Sequence, residues 1–460
     1  MTDAPLVTAN AQQRLDRLPI GRFHKITLVA VSFAYFFEFA DINTFAVTAP
    51  RLIKLWGVTV SQIAYVTSTS FVGMFLGSII AGALADRIGR RRALTATTMF
   101  FGLFSLATVF SWDVVSLGVF RFLTSAGLSA MTVVAVIYLS ELFPAAVRGR
   151  YQAYAIAIGI CGTPATSLLA SAIVPAADWT WRLVFLWGAL GLGFVFFLRH
   201  LAESPRWLEQ RGETGRADEV LRSIEARIEA EHGPLPAPAT PAPTPSAAED
   251  GATPRWRLLL RRRTLLPVLL LCVLWVTQTI GFFGYSSWAP TLLAKQGFSV
   301  QSSIFYVALT TVGAPLGCLL AAAVVDRVER KWCLAVFGAA IGVFGLLYGL
   351  TFNPVLIVVF GFLVNLIERG YTALAYAYSP ELFDTRTRSL GTGISYGVGR
   401  LSNAAGPLII AALYTGSGYR SVFVFNAATW FVGAVAVALF GPRTRQRPLD
   451  RTPAVSPASA

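Results

Sequence analysis

Charge is what this chain has least of. Of its 460 residues only 13% are Asp, Glu, Lys or Arg, roughly half the share of a soluble globular domain, which excludes an ordinary water-soluble protein. Histidine is scarcer still. His24, His200 and His232 sit at the ends of apolar runs or in a polar loop, so none is placed for a proton relay inside such a run. The four cysteines, Cys161, Cys272, Cys318 and Cys333, stand in apolar runs at no metal-ligand spacing. They read as small buried apolar residues and argue against a disulfide scaffold or a metal site. A glycine-rich loop ending in Gly-Lys-Ser/Thr is missing, and Ser140 precedes Glu141 at the end of an apolar run rather than in a triad context. No enzyme and no cofactor are expected. The polar opening stretch followed by an overlong apolar run also lacks the pattern of a cleavable signal.

What the chain has in quantity is apolar residues, 55% of the total. Runs near the 20 residues needed to cross a bilayer fall at about 25–50, 60–85, 93–111, 114–141, 150–174 and 181–200, then at about 264–288, 301–325, 332–352, 354–381, 388–413 and 419–440. This predicts an all-α membrane protein with twelve transmembrane helices. The formal charge of +14 is concentrated in short loops, as a membrane topology demands, and not in the stripe that a nucleic-acid partner would require. Arg87, Arg90, Arg91 and Arg92 follow the second run, Arg148 and Arg150 the fourth, Arg327, Arg330 and Lys331 the eighth, and Arg386 and Arg388 the tenth. Lys295 is alone between the seventh and eighth. The asymmetry places both termini in the cytoplasm. The resulting divisions are an N-terminal tail (1–24), a first six-helix half (25–200), a cytoplasmic central loop (201–263), a second half (264–441) and a disordered tail (442–460). Within the loop, residues 213–231 show helical periodicity, 233–254 are rich in Pro and Ala, and Arg255, Arg257 and Arg261 to Arg263 form a basic run suited to the inner leaflet.

An internal repeat organises these runs. At an offset of 240, Pro50 maps to Pro290, Asp86-Arg87 to Asp326-Arg327, Tyr138 to Tyr378, Glu141-Leu142-Phe143 to Glu381-Leu382-Phe383 and Arg148 to Arg388. Two parallel six-helix pseudo-repeats imply a transporter whose substrate site lies near the bilayer midplane. Inside the first run stand two carboxylates, Glu38 and Asp41, three residues apart and so on one helical face. Ionisable groups at that depth cost a few kcal/mol or more and mark a path for a substrate, ion or proton.

The segment Gly82-Ala83-Leu84-Ala85-Asp86-Arg87-Ile88-Gly89-Arg90-Arg91-Arg92 closely resembles the signature loop of the major facilitator superfamily. Its second copy, ending Asp326-Arg327-Val328-Glu329-Arg330-Lys331, replaces the glycine with Glu329. Arg121-Phe122-Leu123 with Gly127, Tyr138 to Pro144 with Arg148-Gly149-Arg150, Trp181-Arg182, Glu203-Ser204-Pro205-Arg206-Trp207-Leu208, Tyr378 to Phe383 and Gly399-Arg400 resemble the sugar-porter and metabolite–proton symporter branch. The resemblance covers residues 25–440. It weakens in the seventh run, where Thr277-Gln278-Thr279-Ile280-Gly281-Phe282-Phe283 keeps one Gln and the Gly of the sugar-binding pattern but loses a Gln and an Asn. A polyol needs such partners, and the aromatic continuation through Tyr285 and Trp288 looks more like transporters of organic and aromatic acids.

The resemblance implies proton coupling by Asp41 and Glu38 with Arg121, whose salt bridge to Asp41 opens on protonation; a static bridge that only fixes packing is the alternative. It implies substrate contact by Arg400, either through a carboxylate of the cargo or, alternatively, neutralised by Glu368. Gln278, Tyr285, Trp288, Asn365 and Tyr376 are further candidates for the cavity wall. Asp86, Arg90, Glu141, Arg148, Asp326, Glu381 and Arg388 are expected to work as a cytoplasmic gate. The expected activity is proton-coupled symport of a small organic metabolite, a carboxylate, by alternating access in a monomer held in the cell inner membrane. Partners are the anionic substrate, protons and lipid, with no nucleic acid. A sugar or polyol as cargo, or outward transport, is the alternative on the same fold, and a non-transporting sensor is the alternative of another class.

Overall fold

A computed structural model describes residues 10–198, 200–237, 261–324, 329–383 and 387–444. Among them the regular structure is helical. In chain order the first part holds α1 (Ala11–Asp16), α2 (Arg22–Trp56), α3 (Val60–Ile88), α4 (Arg90–Val109), α5 (Val114–Leu142), α6 (Arg148–Ile160), α7 (Gly162–Ile173), α8 (Trp181–Ala189), α9 (Phe194–Leu198), α10 (Pro205–Gln210) and α11 (Thr214–His232). The second holds α12 (Arg262–Ser286), α13 (Ala289–Lys295), α14 (Val300–Thr311), α15 (Gly313–Val324), α16 (Arg330–Leu350), α17 (Pro354–Glu381), α18 (Arg388–Ser417) and α19 (Tyr419–Phe440).

Eleven spans among the described residues are long and apolar enough to cross a membrane, counting α6–α7, α8–α9 and α14–α15 each as one. The expected run at 388–413 is not among them. It does form a helix, α18, of 30 residues. Arg388, Arg400, Asn403 and a succession of Gly and Ser make it more polar than the others. The Pro/Ala-rich part of the central loop from 238, with Arg255 and Arg257, falls outside the described residues, as do Asp326, Arg327, Arg386 and the tail from 445. The charged stretch before it is ordered as α11, which buries Leu221, Ile224 and Ile228 at helical spacing. The cysteines correct one expectation. None of the four forms a disulfide among the described residues, and Cys161 is exposed while the other three are half-buried.

The chain divides into two compact units, Met1–Thr44, Val72–Thr166 and Arg182–Asp250 in one, and Phe45–Phe71, Ser167–Trp181 and Gly251–Ala460 in the other. The 240-residue repeat is visible inside each. In the first unit a Cβ on Gly73 or Gly77 of α3 would stand 2.3 and 2.0 Å from the carbonyl oxygens of Phe122 and Ala126 on α5. In the second, Gly313 and Gly317 stand 2.4 and 2.2 Å from those of Phe362 and Leu366 on α17. Only glycine permits backbones this close, and small residues four apart are how membrane helices approach. The N-caps correspond too. Asp113 accepts from the Ser116 amide at 2.7 Å to start α5, and Asn353 accepts from the Val355 amide at 2.9 Å to start α17, each satisfying an end that the helix itself leaves unbonded.

Candidate functional site

In the first unit, α2 carries its two carboxylates on the face expected from their spacing. Asp41 is fully buried and ion-paired with Arg121 of α5 at 2.7 Å, both side chains being shut off from solvent. The same guanidinium reaches the Asp41 carbonyl at 3.3 Å and Thr44 Oγ1 at 3.4 Å, and stacks toward the Phe185 ring at 5.8 Å. The other carboxylate oxygen accepts from Ser105 Oγ of α4 at 2.7 Å. Asp41 is therefore bonded at both oxygens, as a buried anion must be, whereas Nε of Arg121 makes no hydrogen bond. Glu38, one turn before, is also buried.

At the ends of α3, α4 and α5 the signature loop is closed by charge. Gly89 turns the chain with φ of 97°, a value that favours glycine. Arg90 then grips Glu141 by Nε at 3.0 and 2.9 Å and by Nη2 at 2.7 Å, and holds Asp86 at 3.0 Å. Glu203 accepts from the Arg91 amide at 3.0 Å, and Trp207 Nε1 donates to the Asp86 carbonyl at 2.8 Å. The second unit repeats the pair at the same offset, Arg330 to Glu381 at 3.2 Å. Tyr138 donates to the Ala202 carbonyl and Tyr378 to that of Pro442, again 240 apart at both ends.

A second cluster of charge lies on α12, α17 and α18. Glu368 is fully buried. Its Oε1 accepts from Gln278 Nε2 at 2.9 Å and Thr372 Oγ1 at 2.7 Å, and its Oε2 faces Arg369 Nε at 2.9 Å. Arg369 lies over the Phe282 ring at 4.5 Å. Arg400 donates to the hydroxyl of Tyr396, one turn earlier, from Nε at 2.9 Å and Nη2 at 2.6 Å. Tyr376 donates to that same hydroxyl at 2.8 Å, and Trp275 packs on both tyrosine rings at 4.8 and 5.0 Å. The arrangement offers guanidinium and hydroxyl donors among aromatic faces, chemistry suited to a planar anion.

The structure thus brings Asp41 to Arg121, Arg90 to Asp86 and Glu141, and Arg400 to Tyr376 through Tyr396. Tyr376 is exposed. Tyr285 and Trp288 are buried, Tyr285 edge-on to Tyr348 at 5.0 Å, and Asn365 donates to the Gly361 carbonyl of its own helix at 2.9 Å. Gln278 is taken up by Glu368. Arg148 starts α6 and Arg388 starts α18. Ser105, Tyr396 and Arg330 join these clusters without having been expected there. The repeat offset already points to Arg330, and the four-residue spacing from Arg400 points to Tyr396; Ser105 has no signal beyond being a small polar residue in an apolar run.

Comparison with known proteins places the chain among membrane transporters. A family model described as "Sugar (and other) transporter" matches residues 23–455. The metabolite transport protein YyaJ of Bacillus subtilis (strain 168), whose name states no particular metabolite, is 43% identical over 95% of this chain and 97% of its own. The niacin transporter NiaP of Acinetobacter baylyi (strain ATCC 33305 / BD413 / ADP1) is 29% identical over 95% and 98%. The 4-hydroxybenzoate transporter PcaK of the same organism is 27% identical over 94% and 93%. Among solved structures, the xylose transporter XylE from E. coli, partially occluded and inward open, has a TM-score of 0.73 at 17% identity, covering 93% of this chain and 100% of its own. At that identity the likeness is one of fold.

Proposed function

The chain belongs to the sugar (and other) transporter family of the major facilitator superfamily, and from that membership we propose that it is a proton-coupled symporter of a small aromatic or hydroxylated carboxylate. Members of this family are multi-pass membrane transporters and not enzymes. The proposed setting is the cell inner membrane, with both termini cytoplasmic and a single chain as the working unit.

The observation that carries the reading is the Asp41–Arg121 pair, buried on two membrane helices at 2.7 Å. An ionised pair in such a place is stable only while both charges are present. A proton on Asp41 removes the anion that Arg121 needs, so Arg121 releases it and the helices that the pair joined, α2 and α5, are free to shift. Proton binding from one side and release to the other then drives alternating access. Glu38 lies beside this path as a second acid. For the cargo, the Arg400–Tyr396–Tyr376 cluster supplies charge-assisted donors and aromatic walls, and relatives named for niacin and 4-hydroxybenzoate carry aromatic carboxylates. The buried Tyr285, Trp288 and Asn365 would shape the wall from behind, and Gln278 would act through Glu368. The Arg90–Glu141 and Arg330–Glu381 pairs would be the gate's fixed points, with Asp86, Arg148 and Arg388 beside them.

Purified protein in proteoliposomes with an imposed pH gradient tests this reading against nicotinate, 4-hydroxybenzoate and xylose. Accumulation of an acid that collapses with a protonophore is the expected result. Accumulation of xylose alone would make it a sugar symporter, and absence of flux for every probe would favour a sensor.

A further inference from the structure

We propose that Glu368 and Arg369 on α17 form a second proton-handling pair, in which the carboxylate of the cargo replaces Glu368 as the partner of Arg369 while Glu368 takes up a proton. The proposal rests on the reading that the cargo is a carboxylate.

Glu368 is bound unevenly. Its Oε1 receives two hydrogen bonds, from Gln278 and Thr372. Its Oε2 faces Arg369 Nε at 2.9 Å, yet neither atom attains hydrogen-bond geometry. The cause lies in the helix: adjacent residues leave it about 100° apart, so Arg369 cannot present its fork to its neighbour. The guanidinium lies over Phe282 instead, with its side chain 16% exposed. No hydrogen bond to either Nη of Arg369 is present among the described residues. A guanidinium with its outer edge unspent is matched to a carboxylate that approaches from outside the helix. Arg369 and Arg400 both lie within electrostatic range of Tyr376.

The exchange balances. Before it, Arg369 is paired with ionised Glu368. Afterwards Arg369 is paired with the cargo anion, and Glu368, buried and stripped of its counter-ion, binds one proton at Oε2. One anion and one proton enter together and the net charge is unchanged. The groups facing Glu368 leave it as the acceptor. Tyr371 on its own helix lies within electrostatic reach, and α12 presents the uncharged Gln278. No Asp, Glu, Lys, Arg or His occurs on α14 or α15. At the repeat offset Glu368 and Arg369 correspond to Leu128 and Ser129, so the pair belongs to the second repeat only.

The test uses the full-length protein in detergent, with nicotinate and its uncharged amide as probes and titration calorimetry in buffers of different ionisation enthalpy to count protons. Wild type is expected to bind nicotinate with proton uptake, part of which survives in Asp41→Asn. Glu368→Gln should keep nicotinate binding and lose that surviving part, and Arg369→Gln should weaken nicotinate at least tenfold while leaving the weak binding of nicotinamide unchanged. Because one unpaired charge can prevent folding, the double variant Glu368→Gln/Arg369→Gln is measured alongside, and should be monodisperse and bind nicotinate as poorly as Arg369→Gln. Wild-type proton uptake in Glu368→Gln, or wild-type nicotinate affinity in either variant lacking Arg369, overturns the proposal and leaves the carboxylate reading standing. Failure of wild type to bind nicotinate or 4-hydroxybenzoate overturns both.

Discussion

A Cβ placed on Gly188 would stand 2.5 Å from Oδ1 of Asp41, closer than carbon and oxygen approach without one of them moving. The glycine on α8 keeps open the space that the carboxylate occupies between Ser105 and Arg121. Gly188→Ala is therefore expected to push Asp41 off one of its two partners. Leaving a buried charge short of a hydrogen bond costs about 1–3 kcal/mol, so the variant should express and fold but accumulate the acid several-fold less than wild type. Uptake at the wild-type rate would show that the carboxylate position is not constrained in the way the geometry requires.

Asp41→Asn separates coupling from movement. The amide retains the shape and can accept from Arg121, but it carries no transferable proton. Accumulation of nicotinate or 4-hydroxybenzoate against a gradient should fall well below wild type, to the part that the Glu368 proton can drive, whereas exchange of labelled for unlabelled acid across vesicles loaded on both sides should continue. Uphill accumulation by Asp41→Asn at the wild-type level would remove Asp41 from the carrier role.

Ion pairs in this chain differ in worth according to their exposure. Arg51 bonds Asp178 at 2.5 Å, but the Asp178 side chain is 80% exposed, and such pairs contribute about 0–1 kcal/mol. Arg90 and Glu141 are 5% and 12% exposed and share three close contacts. Removing one partner of a buried pair costs roughly 3–5 kcal/mol. Asp178→Asn should leave the melting temperature in detergent almost unchanged, and Arg90→Ala should lower it by several degrees. Equal shifts would mean that the signature-loop pair is not structural.

What was legible in the sequence follows from where polarity is rare. Asp41 and Arg121 stand out because each is a charge in an apolar run, but the cost of burial says only that each needs a partner, and their pairing was what the family resemblance implied. The repeat marked Glu141 with Glu381 and Arg148 with Arg388, but the Arg90–Glu141 and Arg330–Glu381 pairs emerge only from the structure. Ser105 and Gly188 were not legible, since small residues are common in membrane helices and only the packed structure shows which of them touches a carboxylate. Tyr285 and Trp288 illustrate the converse. An aromatic in an apolar run carries no mark of whether its helix face turns inward or toward a neighbour, and here both are buried. The eleventh run shows the limit of length and hydropathy, because α18 owes its polarity to Arg400, Asn403 and its glycines and yet forms an unbroken helix.

Outside the membrane helices, α1 is fastened to α11 by charge. Arg14 donates to Glu225 at 3.0 and 2.5 Å and to Asp218 at 2.6 Å, and Arg17 donates to Glu225 at 2.7 Å. Burial pushes the Glu225 carboxyl up, but the bonds from Arg14 and Arg17 outweigh it and hold the group below its ordinary value. A carboxylate held below its ordinary value stabilises the folded form fully above that value and loses the contribution as pH falls through the lowered one. The clasp should therefore be intact at neutral pH and release only under acid, below the ordinary glutamate range. Charge-assisted bonds of this kind contribute about 1.5–3 kcal/mol, or roughly a tenfold or greater change in opening. Hydrogen–deuterium exchange over residues 11–16, corrected for the intrinsic rate, should show protection that is flat from pH 8 to 6 and falls in acid. Glu225→Gln removes the charge at every pH, so it should show the acid level of protection already at pH 7. Wild-type protection in Glu225→Gln at pH 7 would mean that α1 is held by the burial of Ala11 and Leu15 and not by this carboxylate.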